Sequence, residues 1–133
     1  MTYFQAPLPV RHTLAHLQQG GYVSGPEMAQ QALVVITTLG TEAEARAFVT
    51  ALVEQRVIAC GTLLPGRSIY RWEGKVTEAV EVVALLKTDA ARWDALRSSV
   101  ERLHPYEVPE LLALPVTQGL ERYMSWLANE VTG

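Results

Sequence analysis

From position 32 onward the apolar residues fall into blocks that switch between the period of about 2 expected of strands and the period of about 3.6 expected of helices. The first block, Ala32-Leu33-Val34-Val35-Ile36-Thr37-Thr38, is short, β-branched and bounded by Gly40, and it predicts a strand. Thr41 followed by Glu44 is a capping-box signature. Ala45, Phe48, Val49, Leu52 and Val53 then recur at helical spacing, which predicts a helix over 42–55. The run from Val57 to Leu64 resumes after Pro65-Gly66 as Ser68-Ile69-Tyr70-Arg71-Trp72, and reads as one long strand with a bend or bulge at the Pro-Gly pair. Glu73-Gly74-Lys75 supplies a turn. A second long strand follows over 76–87, apolar on both faces at Val80, Val82, Val83, Leu85 and Leu86. Thr88 or Asp89 caps a second helix with the stripe Trp93, Leu96, Val100 and Leu103, which must stop before Pro105. Leu111 to Val116 is a further strand, and Gly119 introduces a third helix in which Tyr123, Trp126 and Leu127 share a face.

The order βαββαβ with an added terminal helix predicts an α+β domain over 32–133, of the split βαβ or ferredoxin-like type. In that topology the sheet is antiparallel, with a long central hairpin, and right-handed crossovers bring both connecting helices to one face. The other face has no crossover helix of its own, and a solvated face would require strands that alternate apolar with polar. The stretches 33–36, 57–64 and 82–86 do not alternate. Each large apolar side chain left in water forgoes roughly 1.5–3 kcal/mol, so the third helix or a second copy of the chain is expected to cover this face. A homo-oligomer joined through sheets and hairpin edges is the better account.

Composition narrows the partners. With 49% apolar and 19% charged residues and a net charge of −3, the chain has a core but no basic field for nucleic acid. No apolar run approaches the roughly 18 residues of a spanning helix and no signal-peptide pattern opens the chain, so no membrane partner is expected and the compartment expected is the cytoplasm. Cys60 is the only cysteine, which rules out an internal disulfide and a multi-cysteine zinc site. Residues 1–31 differ from the rest: Pro7, Pro9, Gly20, Gly21, Gly25 and Pro26 break them, and only 11–19 has the makings of a short helix. On such a helix His12 and His16 would share a face, a weak metal site against the plainer reading of a solvated leader. Met28, just ahead of the regular pattern, would be the alternative translation start if residues 1–27 are not part of the native protein.

The densest candidate chemistry is His104-Pro105-Tyr106-Glu107-Val108-Pro109-Glu110, an imidazole, a phenol and two carboxylates within seven positions between prolines. Here the chain resembles the CutA family of divalent-cation tolerance proteins. The resemblance rests on 104–110 together with Arg67-Ser68-Ile69-Tyr70-Arg71-Trp72-Glu73-Gly74-Lys75, Ala59-Cys60-Gly61-Thr62-Leu63-Leu64-Pro65-Gly66 and Leu114-Pro115-Val116, in order, and covers essentially a whole family member. It implies a ferredoxin-like subunit similar to PII signal-transduction proteins, assembled as a homotrimer through strand edges of long hairpins. It also implies binding of divalent metal, copper above all, and a role in metal tolerance. His104 and Cys60 match proposed copper ligands of some bacterial members, and Thr37 stands where those members have a second cysteine. Glu107 is a hard-oxygen candidate beside them. Tyr70, Arg71, Trp72, Glu73, Tyr106, Glu110 and Trp126 are expected in clefts or interfaces between subunits.

Plainer roles compete with each of these. A histidine at a helix end gains from the dipole and caps carbonyls. A lone cysteine in an apolar strand is commonly a small hydrophobe, and a loop carboxylate is ordinarily solvated. Three function classes follow: a metal-binding tolerance trimer, a PII-like signalling or scaffold trimer binding a small anion or nucleotide between subunits, and an enzyme. With no P-loop, nucleophile elbow or dinucleotide turn, an enzyme is not expected.

Overall fold

The structure, a computed structural model, describes residues 31–132. The expectations for the leader, including His12 and His16, lie outside those residues. Eight residues form β1 (Ala32–Leu39), followed by α1 (Glu42–Glu54), β2 (Cys60–Trp72), β3 (Lys75–Asp89), α2 (Trp93–Leu103), β4 (Leu112–Pro115) and α3 (Glu121–Glu130). The strands make one antiparallel sheet in the order β2-β3-β1-β4, so the split βαβ arrangement predicted from the sequence is present.

Strand alternation decides which residues enter which core. Leu33, Val35 and Leu39 of β1 and Ala84 and Leu86 of β3 point to α1 and α2, where they pack with Ala45, Phe48, Val49, Leu52, Leu96 and Val100. Gly61 lies directly under α1: a Cβ there would stand 2.8 Å from Val49 Cγ1. The opposite face carries Ala32, packed with Ala59 under Leu127 and Val131 of α3. The third helix therefore covers one end of the face the crossover helices leave open. Val34, Ile36, Val83 and Leu85 on that face stay half-buried, and Leu64 is 44% exposed.

Local chemistry explains most boundaries. Thr41 caps α1 by accepting from Glu44 N–H, as expected. At its other end Arg56 takes the left-handed conformation (φ 60°), letting Arg56 N–H reach Val53 O and Val57 N–H reach Leu52 O. The Arg56 guanidinium then donates to Glu130 O at 2.9 Å and so ties the end of α3 to the end of α1. Of the two residues expected to cap the second helix, Asp89 accepts from Ala91 N–H and starts a short 3-10 turn (Ala90–Arg92), while Thr88 donates to Val57 O at 2.7 Å.

Two details differ from the sequence reading. Residues 57–59 precede the strand that was expected to begin at Val57. The β2–β3 register runs without interruption from Cys60↔Lys87 to Trp72↔Lys75, so no bulge occurs at Pro65-Gly66. Pro65 is tolerated because β2 is an edge strand. Gly66 marks a close approach, since a Cβ there would meet Val83 Cγ2 at 3.0 Å.

Trp72 pairs with Lys75 around the two-residue loop Glu73-Gly74, where φ is 51° and 82°. Positive φ at both positions is the turn that suits hairpin twist, and it favours Asn-Gly over Glu-Gly. Glu73→Asn is expected to stabilise the protein by roughly 0.5–1 kcal/mol, read as a higher urea midpoint with an unchanged slope.

Candidate functional site

The 104–110 loop does not hang free, because its first residues are held to the far end of β1. His104 ends α2, its N–H bonded to Val100 O at 2.8 Å, and its ring leaves the helix to pack edge-on against Phe48 with centroids 5.1 Å apart. It does not cap helix carbonyls with its side chain, as one sequence reading had it. Instead Nε2 lies 2.9 Å from Thr38 O and 3.2 Å from Thr37 Oγ1, and Nδ1 lies 3.1 Å from Tyr106 N. A carbonyl only accepts and an amide N–H only donates, so the network assigns the proton to Nε2 and the lone pair to Nδ1. Both ring nitrogens are thereby engaged. Thr37, fully buried, turns its hydroxyl to the same imidazole. Burial lowers the pKa of His104, against the opposing pull of the Thr38 carbonyl, Glu44 and Glu81.

Beside it lies an acid that the sequence reading did not single out. Glu81 follows the last β1–β3 pair, Leu39↔Val82, at the point where the hairpin runs past the end of β1. It is 8% exposed. Its Oε1 accepts from Ser68 Oγ at 2.6 Å and its Oε2 from the Tyr106 hydroxyl at 2.5 Å. Burial alone would raise its pKa, but hydrogen bonds from Ser68, Tyr106 and Thr38, with the charge of His104, bring it below the usual value. The same acid, together with burial, drives the Tyr106 phenol well above its ordinary range. Glu81 thus joins three segments: the base of the hairpin, the end of β1 and the loop after α2. Its signal in the sequence was a carboxylate inside an otherwise apolar strand, between Val80 and Val82.

The other predicted residues lie elsewhere. Cys60 faces α3, its Sγ 3.6 Å from the Tyr123 hydroxyl, on the opposite side of the sheet from the Phe48 seat of His104. Burial and the neighbouring Cys60 raise the Tyr123 phenol in turn. Glu107 and Glu110 are exposed on the loop, as are Arg71 and Glu73 at the hairpin tip. Arg71 and Glu73 share no ion pair among the described residues; the hairpin pair is Arg67–Glu78 at 3.0 Å, exposed and of little energetic weight. Tyr70 and Trp72 are 43% and 50% exposed, and Trp126 packs beside Tyr123 with centroids 5.5 Å apart. Within one chain, then, His104 and Cys60 do not fit a shared metal. Among the described residues no three His, Cys, Asp or Glu side chains gather as a ligand set.

A split βαβ sheet, a long hairpin and an apolar face covered at one end only define a ferredoxin-like α+β domain. The chain belongs to the CutA1 divalent ion tolerance protein family, whose model matches residues 33–130. It is 46% identical over 101 residues to the divalent-cation tolerance protein CutA of Thermus thermophilus, covering 75% of this chain and 97% of that one. The Pectobacterium atrosepticum protein of the same name is 44% identical over 97 residues, covering 72% and 88%. Among solved structures, CutA1 from Pyrococcus horikoshii superposes with a TM-score of 0.74 at 38% identity, covering 76% of this chain and 99% of that one. No helix among the described residues is long and apolar enough to cross a membrane.

Two outcomes follow from the hydrogen bonding. A histidine whose folded pKa is lowered takes up protons on unfolding, so stability present above about 6.5 is lost as pH falls through the folded value. Denaturant titrations from pH 8 to 5 should show that loss, and His104→Gln should flatten it while costing about 1–3 kcal/mol at pH 7. For Glu81 the folded value is depressed, so its contribution is present above about 4.5 and is lost at lower pH. Glu81→Gln should weaken the fold at pH 7 by about 1–3 kcal/mol and reduce the acid dependence below that value, checked by the same titrations.

Proposed function

We propose that this chain is a self-associating divalent-cation tolerance protein that binds metal between subunits. The function is that for which its relatives in Thermus and Pectobacterium are named. Copper is the first metal to test, and the assembly is a homotrimer joined through hairpin strand edges. One observation carries this reading: the residues of ligand type, His104 and Cys60, stand on opposite sides of one sheet. Meanwhile the hairpin presents Ile69, Trp72, Val76 and Val80, each at least half exposed, for a second copy to cover. Surfaces this apolar favour association.

Ligands from two copies would then complete what one copy lacks, with Glu107 and Glu110 on the exposed loop as oxygen donors and Cys60 as the soft one. His104 offers a lone pair only after Tyr106 N–H gives up Nδ1, so its use would require the 105–106 segment to shift. We assign no catalysis to the chain. Its proposed compartment is the cytoplasm, although a related protein of Archaeoglobus fulgidus, 28% identical, is described as periplasmic.

Analytical ultracentrifugation at micromolar concentration should give three times the subunit mass, and a monomer would sink the assembly. Calorimetric titration of the oligomer with copper should show binding that weakens at least tenfold in Cys60→Ser and in Glu107→Gln. Affinity unaltered in both would exclude this site. A thermal shift with nucleotides and none with metals would favour the PII-like reading instead.

A further inference from the structure

The loop after α2 is closed over His104 by one residue held at both ends. His104 Nδ1 accepts the Tyr106 N–H at 3.1 Å across a proline whose ring fixes φ, so imidazole and backbone form a tight local turn. The Tyr106 ring packs edge-on against the imidazole with centroids 4.9 Å apart, and its hydroxyl donates to Glu81 Oε2 at 2.5 Å. That hydroxyl lies just past the end of β1, where a Cβ added to Gly40 would stand 3.7 Å from it. Glu81 is in turn fastened to β2 by the Ser68 hydroxyl at 2.6 Å.

Glu107 and Val108, which follow, are exposed, so the Tyr106 phenol is the anchor of this part of the loop. Exposed loop segments open locally at a free energy well below that of global unfolding. A hydrogen bond to an ionised carboxylate is among the stronger single contacts that can hold such a segment shut. The acid is 8% exposed, which keeps competing water away from the bond.

We propose that Glu81 is a positioning residue whose bond to the Tyr106 hydroxyl straps this loop closed, an autoinhibitory contact that governs when His104 Nδ1 is free to take a divalent cation. The inference rests on the metal-binding reading above and names the regulation of that site. In the closed loop the Nδ1 lone pair is spent on the Tyr106 N–H. Releasing the phenol lets residues 105–106 swing away and returns the lone pair, with the Glu107 carboxylate next along the same loop. Glu81 never touches the cation; it acts through Tyr106.

Tyr106→Phe keeps the ring and removes only the hydroxyl. Without metal, amide hydrogen exchange on the full chain should speed at position 106 by roughly tenfold or more relative to the amides of β1, which report the whole fold. Glu81→Gln leaves a neutral acceptor and should do less, and in the Tyr106→Phe background it should add nothing at position 106. Calorimetric titration with copper should show tighter binding in Tyr106→Phe by a comparable factor, because affinity scales with the fraction of chains in the competent state, and His104→Gln should abolish the gain. Exchange at position 106 that speeds no more than in β1, or copper affinity unaltered in Tyr106→Phe, overturns the proposal. Copper binding absent from both the unsubstituted chain and Tyr106→Phe would remove the metal-binding reading itself, and the strap's role with it.

Discussion

Apolar side chains on both faces of one four-stranded sheet are the constraint on which the rest of this structure depends. Right-handed crossovers place α1 and α2 on the same face, where the principal core forms around Val35, Leu39, Leu52 and Leu86. The remaining face must be covered by something that arrives later in the chain or from another chain. The third helix covers the Ala32 end, held there by Leu127, Val131 and the Arg56 link to Glu130. The rest of that face stays partly open and the hairpin keeps Ile69, Trp72, Val76 and Val80 exposed, the observation on which the proposed assembly rests.

The same sheet separates the chemistry. Because successive residues of a strand point to opposite faces, Cys60 turns toward α3 while its neighbour Gly61 lies under Val49 of α1. His104 comes from the helix-covered side and is seated by backbone groups of Thr38 and Tyr106 and by the Thr37 hydroxyl. A neutral imidazole with both nitrogens occupied is a structural joint between α2, β1 and the loop. Glu81 completes that joint from β3 through Tyr106 and Ser68. Any metal chemistry of this chain has to be reconciled with a histidine already fully engaged.

How much of this was legible in the sequence depended on the range of the interaction. Helix α1 was readable because Thr41, Glu44 and the stripe from Ala45 to Leu52 act within a few residues of one another. The hairpin was readable because two apolar runs flank a short turn, and the resemblance of 59–75 and 104–110 to CutA proteins pointed to the family that 33–130 matches. Pro65-Gly66 misled, since its reading as a bulge turns on strand order: an edge position tolerates the proline without breaking register. Glu81 passed unnoticed because the partners of a carboxylate 13 and 25 residues away in sequence leave no local period.

By itself, then, the sequence determined the elements, their order and the presence of more apolar surface than one layer of helices can cover, all of which follow from side-chain period and turn chemistry acting over short stretches. Only the tertiary structure decided that α3 takes the open face, that Cys60 and His104 stand apart, and that Thr37, Glu81 and Tyr106 share one buried network with the imidazole. Those outcomes depend on which face of the sheet a residue meets and on what reaches it from 25 or more positions away, as for Glu81, Cys60 and Thr37 at separations of 25, 63 and 67, and a one-dimensional pattern does not carry that information.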